Sequence, residues 1–144
     1  MTGSTAHEQA RARARERAIG DVTRLRLADG PLLGPVLCRV VSMVLTRADW
    51  PVDRLDDALL VCDALCAHAP AYASDGRLAF SVRADGNEAE LRVQELAPEG
   101  AEALVRDAML PVVGNVLEHV AERMSVETDE HGASPQLVIV LSSR

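Results

Sequence analysis

The segment LLVCDALCAHA, Leu59–Ala69, gathers several chemically active side chains into an otherwise apolar run. It holds a carboxylate, Asp63, two thiols one helical turn apart, Cys62 and Cys66, and an imidazole, His68. Such a set is compatible with a metal site, a redox site or a nucleotide site. A structural zinc ion takes four ligands, typically from C-x-x-C pairs in loops, and this segment offers three at a different spacing. We therefore predict no metal ion here and interpret both thiols as small, buried apolar residues.

The composition argues against several classes of function. A chain of 144 residues, 48% of them hydrophobic, fits one domain with one core. The formal charge of -7 disfavours nucleic acid as the main partner, since nucleic-acid-binding domains usually carry a basic face. No apolar run approaches the ~18 residues of a membrane span, and the N-terminus lacks the apolar core of a signal peptide, so we expect a cytoplasmic protein. Its three cysteines are then expected to stay reduced.

Two parts of the chain differ in composition. Residues 1–20 are rich in Arg, Ala and Glu and have no apolar stripe, so we predict a mobile or loosely packed N-terminal segment. The remainder, residues 21–144, is predicted to form one folded domain. It opens with VTRLRL, whose alternation predicts a half-buried strand.

Apolar residues three and four positions apart predict two helices, from Leu32 to about Arg47 and from Val52 to about Ala69. The pattern assigns these residues to the buried side of the first helix: Leu33, Val36, Leu37, Val40, Met43 and Val44. It assigns these to the buried stripe of the second: Leu55, Leu59, Cys62, Leu65 or Cys66, and Ala69. Asp63 would then lie at the edge of that stripe.

The second half of the chain predicts a hairpin, a helix and two further strands. The strands RLAFSVRA and AELRVQEL are joined by Asp85-Gly86-Asn87, a sequence typical of a tight turn. The segment APEGAEALVRDAML leads to the helix VVGNVLEHVAER and the strands SVET and QLVIVL. This order predicts an α+β fold, a two-layer α/β sandwich with a mixed, mostly antiparallel sheet. The helices Val52–Ala69 and Val112–Arg123 are expected on the same face.

From Thr23 to Leu141 the chain resembles the anti-sigma-factor serine kinases, small members of the histidine-kinase-like ATPase superfamily with the Bergerat nucleotide-binding fold. The stretches that carry this resemblance are PVDRLDDALLVCDALCAHA and HVAERMSVETDEHGASPQLVIVL. They are similar to the family's segment ending in Glu-x-x-x-Asn-Ala-x-x-His and to its closing helix and hairpin. The resemblance implies a bacterial regulator of transcription, a homodimer, and a site for ATP and magnesium.

The first family motif is altered on the second predicted helix. In the family a glutamate serves as general base and an asparagine one turn later holds the magnesium ion. Asp63 stands at the first position and Ala67 at the second. Ala67 has no oxygen to offer a cation that binds oxygen ligands, and the transfer of phosphate depends on that cation.

The second family motif, Asp-x-Gly-x-Gly, follows a strand, and its aspartate recognises adenine. Here Glu95 stands at the aspartate position, Ala97 at the first glycine and Glu99 at the second. Ala97 would be strained at a positive φ by roughly 1–2 kcal/mol, and Glu99 would bring a negative charge towards the phosphates.

The third motif is a glycine pair in the lid over the phosphates. Pro111 and Val113 stand at the two glycine positions, with Gly114 next to them. Pro111 lacks the backbone N–H that could serve a phosphate.

All three motifs are altered while the pattern of the framework persists, so the resemblance implies a retained fold with a degenerate nucleotide pocket. The favoured function is a non-catalytic regulatory module that binds a protein, such as a sigma factor or an anti-sigma antagonist, with no cofactor. Asp63 would then be a vestigial base or an ordinary solvated acid. The alternative is an active ATP-dependent serine/threonine kinase that uses magnesium.

Overall fold

A computed structural model describes residues 22–110, 114–128 and 134–144. The predicted N-terminal segment, residues 1–20, lies outside the described residues. The helices are α1 (Leu33–Arg47), α2 (Val52–His68), α3 (Gly100–Asp107) and α4 (Val116–Val120), and a 3-10 turn, Ala69–Tyr72, follows α2. The strands are β1 (Thr23–Ala28), β2 (Arg77–Ala84), β3 (Glu88–Gln94), β4 (Met109–Leu110), β5 (Gly114–Asn115), β6 (Arg123–Thr128) and β7 (Pro135–Ser142).

Five strands form one sheet in the order β1-β2-β3-β7-β6, and each of these pairings is antiparallel. The predicted hairpin between β2 and β3 is present. The Asp85 carboxylate accepts hydrogen bonds from the backbone N–H groups of Asn87 and Glu88, at 2.7 and 2.8 Å, which closes the turn. The short strands β4 and β5 pair separately.

The helices and one face of the sheet enclose a single core. Its strand residues alternate along the chain, as the period of two requires, and Phe80 at the centre of β2 is fully buried. Residues from α1, α2, α3 and α4 belong to the same buried cluster. The predicted α+β two-layer sandwich is therefore confirmed, although the sheet is antiparallel where a mixed one was predicted.

The predicted burial of α1 was correct for Leu33 and Leu37, but it placed Met43 inside and missed Val41 and Leu45. Its buried residues are Leu33, Leu37, Val41 and Leu45. Met43 is 51% exposed, and Val36 and Val40 are half-buried. The helix has apolar residues on two sides, and only the packing selects between them.

The α2 stripe was partly right. Cys62, Leu65 and Ala69 are buried as predicted, but Leu59 is half-buried, and Ala58 and Val61 are fully inside. The helix thus turns its small residues towards the core, which brings it close to its neighbours.

The later helices also differ from the prediction. Helix α3, within APEGAEALVRDAML, was not predicted. The helix expected from Val112 begins at Val116, because the Asn115 side chain accepts a hydrogen bond from the backbone N–H of Glu118 at 3.2 Å and caps that end. Within the described ranges, no helix is both long and apolar enough to cross a membrane.

Candidate functional site

Helix α2 presents the first altered motif to solvent. Asp63 and Ala67 are both exposed on its outer side, one turn apart. The thiol of Cys38 on α1 donates a weak hydrogen bond to the Asp63 carboxylate, at 3.7 Å. His68, at the end of α2, contacts the backbone oxygen of Met109 through Nε2 at 2.7 Å and ties the helix to β4. Among the described residues, no group of three or more His, Cys, Asp or Glu side chains is arranged to hold a metal ion.

The loop after β3 carries the second altered motif. Two glutamates in this loop have a strained backbone conformation. Glu95 and Glu99 have φ values of 61° and 64°, in the left-handed region that favours glycine. Ala97, where the sequence predicted such a strain, does not have a positive φ. Its N–H donates to the oxygen of Tyr72 at 2.7 Å, which fixes the loop against the 3-10 turn after α2.

Glu95 turns away from the helices. Arg26 donates to its carboxylate through two nitrogens, at 2.9 and 2.8 Å. Arg26 alternates along β1 with Leu25 and Leu27, which pack against the core, so its side chain lies on the opposite face of the sheet. The carboxylate of Glu95 is therefore on the other side of the sheet from Asp63, and the structure does not bring these two acids into one site.

Protein atoms fill the junction between this loop and the end of α2. A Cβ atom on Gly100 would lie 3.2 Å from both Cβ and the backbone oxygen of Tyr72, so the backbone of Gly100 is in close contact with that residue. The Tyr72 hydroxyl donates a short hydrogen bond to Asp107 at the end of α3. This bond to a carboxylate raises the pKa of Tyr72 above its usual value. Tyr72 therefore packs directly on the backbone that follows Glu99.

The structure describes only part of the third motif. Pro111 and Val113 lie outside the described residues, and Gly114 has a φ of 83°. Both ends of the Asn115 amide form hydrogen bonds. Its oxygen caps α4, and its Nδ2 donates to the backbone oxygen of Val105 at 2.8 Å. Its contacts are those of a structural residue.

The sheet face opposite the helices, named here the open face, carries a network of paired charges. Glu90 lies between Arg83 and Arg92 and accepts from both at 2.5 Å. Arg92 also reaches Glu127 on the edge strand β6, at 2.9 Å. Burial alone raises the pKa of Glu90, but the hydrogen bonds from the two arginines outweigh burial and hold its pKa below the usual value.

A shallow cavity of about 280 Å³ lies at one end of the open face, lined by Ala79, Gln94, Glu95, Ser134, Pro135 and Gln136. The Gln94 amide donates to the Gln136 amide at 3.2 Å, and Glu95 is engaged by Arg26. Gln94, Gln136 and Glu95 thus already have hydrogen-bond partners within the protein, and we assign the cavity no ligand.

The outer side of α1 is different in character. The surface named here the α1 stripe consists of Leu32, Val36, Val40 and Met43, spaced so that they share one face of the helix. Leu32 is 69% exposed and Met43 is 51% exposed. This stripe was not recognised from the sequence, which placed three of its four residues in the core.

No family model matches this chain, and no curated protein matches it. Among solved structures, the fold is similar to that of a chain in the SiaB-SiaC complex from Pseudomonas aeruginosa. The match has a TM-score of 0.52 at 10% sequence identity and covers 93% of this chain and 96% of that chain. The similarity establishes a shared fold, and the resemblance to anti-sigma kinases continues to rest on the residues quoted above.

Proposed function

We propose that this protein is a non-catalytic regulatory module that holds a protein partner on the α1 stripe, as the resemblance to anti-sigma factors implies. The observation that carries the proposal is the exposure of Leu32 and Met43 on one helix face, with two half-buried valines between them. Exposed apolar residues aligned on one side of a helix are typical of a protein interface. A neighbour of the same fold occurs in a complex of two proteins, which supports the same class of function.

The charges beside the stripe indicate the chemistry of the partner. Helix α1 contains two arginines, Arg39 and Arg47, and no acid, and both arginines are exposed. The partner surface would therefore have an apolar centre flanked by carboxylates, since charge complementarity sets the orientation and the rate of association. Under the family resemblance this partner is a sigma factor or an anti-sigma antagonist.

Four features support a degenerate nucleotide pocket. The methyl group of Ala67 stands at the family's magnesium position, and Glu95 is bonded to Arg26 on the far side of the sheet. Tyr72 packs on the backbone of Gly100, and the exposed carboxylate of Glu99 begins α3. Each removes or repels a contact that a nucleotide or its metal ion would need, so we propose that the protein works without ATP or magnesium.

The test is affinity capture from the native host with three versions of the tagged protein. The Met43→Glu variant places a charge in the stripe, whereas Val52→Glu places the same charge on an apolar residue that is 71% exposed elsewhere, at the start of α2. An unpaired buried charge weakens an interface by at least roughly 2 kcal/mol, so Met43→Glu should reduce capture by about thirtyfold. Val52→Glu should capture the same protein as the unmodified chain.

Two outcomes would contradict this assignment. One is a partner that Met43→Glu retains in full, and the other is a partner that both variants lose equally. Sedimentation of the purified protein measures the homodimer that the family resemblance also implies. A dimer that dissociates in Met43→Glu would assign the stripe to a second copy of the chain.

A further inference from the structure

The five-stranded sheet ends at two edge strands, β1 and β6, and among the described residues each of them pairs with one neighbour only. The outer backbone N–H and C=O groups of an edge strand are available to a strand of another chain, and proteins commonly use charged side chains to prevent such pairing. Both edges carry exposed charges, but the signs of those charges differ between β1 and β6.

The side chains of β6 alternate between the two faces of the sheet. Arg123 and Glu127 lie on the open face, where each forms an ion pair with a residue of β3, at 3.1 and 2.9 Å. Met124 and Val126 point to the helix side of the sheet. Met124 packs against the core, but Val126 is 41% exposed. The helix layer thus leaves a large apolar side chain exposed at this edge.

Two copies of β6 match each other when they pair antiparallel about a two-fold axis at Ser125. In that register Arg123 lies opposite the second copy's Glu127, because both residues are two positions from Ser125. Met124 lies opposite the second copy's Val126 for the same reason. Directly opposite side chains of antiparallel strands are close enough to interact, and pairs of opposite charge or of apolar residues are favourable.

This pairing would extend the charge network of the open face. Glu90, Arg92 and Glu127 alternate in sign along that face, with ion-pair distances of 2.5 and 2.9 Å. The second copy's Arg123 would come next, followed by its own ion-pair partner, Glu88. The alternation of sign would therefore continue from one copy into the other.

The opposite edge of the sheet lacks this complementarity. The exposed charges of β1 are two arginines, Arg24 and Arg26. A two-fold axis at Leu25 would place these arginines opposite each other, and an axis at either arginine would place it opposite its own copy. Like charges directly opposite each other are destabilising. The central registers of β1 therefore disfavour a second copy, whereas the Ser125 register of β6 favours one.

We propose that the protein forms a symmetric homodimer in which β6 pairs antiparallel with β6 of a second copy, with the two-fold axis at Ser125, so that the two sheets become one continuous sheet. This inference is independent of the proposed function, which concerns the α1 stripe on the other layer of the molecule.

The test uses two charge reversals, each studied alone and then mixed. Glu127→Arg places arginine opposite arginine, and Arg123→Glu places glutamate opposite glutamate. Each change turns two attractive pairs into two repulsive ones and should weaken self-association by roughly thirtyfold. An equimolar mixture of the two variants restores both pairs of opposite charge and should form a heterodimer. Sedimentation equilibrium up to roughly 1 mM protein measures this, since two short strands bury less area than a standard interface.

Two controls locate the contact. Arg24→Glu reverses a charge of the same kind on β1 and should leave self-association unchanged. Met43→Glu, in the α1 stripe, should also leave it unchanged. Hydrogen exchange of the unmodified chain requires no variant: the amide groups of β6 that face away from β7 should become protected as the protein concentration rises, and the outer amide groups of β1 should not.

The proposal is overturned if the unmodified protein is monomeric over this concentration range, or if it forms species larger than a dimer, as a head-to-tail contact between β1 and β6 would produce. It is also overturned if either charge reversal dimerises as well as the unmodified chain, if the mixture of the two stays monomeric, or if Met43→Glu dissociates the dimer. Protection of the outer amide groups of β1 instead of β6 would equally contradict it.

Discussion

The open face of the sheet and the outer side of α1 both lie outside the core cluster, but they carry different kinds of side chains. On the open face, Arg83, Glu90 and Arg92 bond to one another. On the outer side of α1, Leu32 and Met43 are large apolar side chains that are more than half exposed. A surface whose charges are paired internally is already stable in water, whereas an exposed apolar row gains free energy when a partner covers it. We therefore propose that the helix layer binds the partner and that the charge network stabilises the sheet.

The largest expected effect is on the free energy of unfolding, and it should differ between the core face and the open face of the sheet. Phe80→Ala removes a fully buried ring between the sheet and the helices and should lower the free energy of unfolding by about 3–5 kcal/mol. Val138→Ala, on the open face, should lower it by only roughly 1–2 kcal/mol, although Val138 is 4% exposed, because Val138 lies outside the core cluster and the substitution removes less apolar surface than Phe80→Ala does. Urea denaturation of both variants measures the difference. Equal losses would mean that the open face is a second core.

A smaller loss is expected from the centre of the charge network. Glu90→Gln removes the carboxylate that two arginines share and should lower the free energy of unfolding at pH 7 by about 1–2 kcal/mol. Since the pKa of Glu90 is lower in the folded state than its usual 4.5, its contribution is present above that pH and is lost as the pH falls through the folded value. Unfolding curves of the variant and the unmodified protein should therefore converge below about pH 4.5. Curves that remain parallel down to pH 3 would exclude this role for Glu90.

The smallest effect should be a gain. Glu99 has a left-handed backbone at the start of α3, and Glu99→Gly relieves that strain at the expense of a more flexible unfolded chain, for a net gain of about 0.5–1 kcal/mol. Glu99→Ala is the matched control, because alanine loses the carboxylate but keeps the Cβ atom that causes the strain. Thermal unfolding should rank glycine above glutamate, with alanine close to glutamate. A gain with alanine equal to that with glycine would attribute the effect to charge.

The sequence predicted elements better than it predicted contacts. Alternation and helical spacing are local, so β1, α2 and the turn at Asp85 were predicted close to their observed bounds. The buried side of α1 depends on which of two apolar rows meets the sheet, and that choice is made by the whole fold. The same limit applies to the candidate site: the pairing of Glu95 with Arg26 and the contact of Cys38 with Asp63 each join distant parts of the chain.

Backbone conformation sets a second limit. The sequence predicted strain at Ala97 from its place in the family motif, and the structure has it at Glu95 and Glu99. The Ala97 N–H donates to the backbone oxygen of Tyr72, and Ala97 has an ordinary backbone conformation. The left-handed conformations that form the turn occur at Glu95 and Glu99 instead. A motif position specifies which residue replaces a glycine but not how the rest of the loop adjusts.

The central claim, a binding module without a nucleotide site, is tested most directly by the melting temperature in Mg-ATP. A ligand at 100 times its dissociation constant stabilises the folded state by about 2.7 kcal/mol, and a competent site at millimolar Mg-ATP should raise the melting temperature by roughly 5–10 °C. We predict no resolvable shift, because Ala67 offers no magnesium ligand and Glu99 places a carboxylate at the second glycine position of the motif. A clear shift, with phosphate transfer to a partner serine that is lost in Asp63→Asn, would contradict the account and establish a kinase.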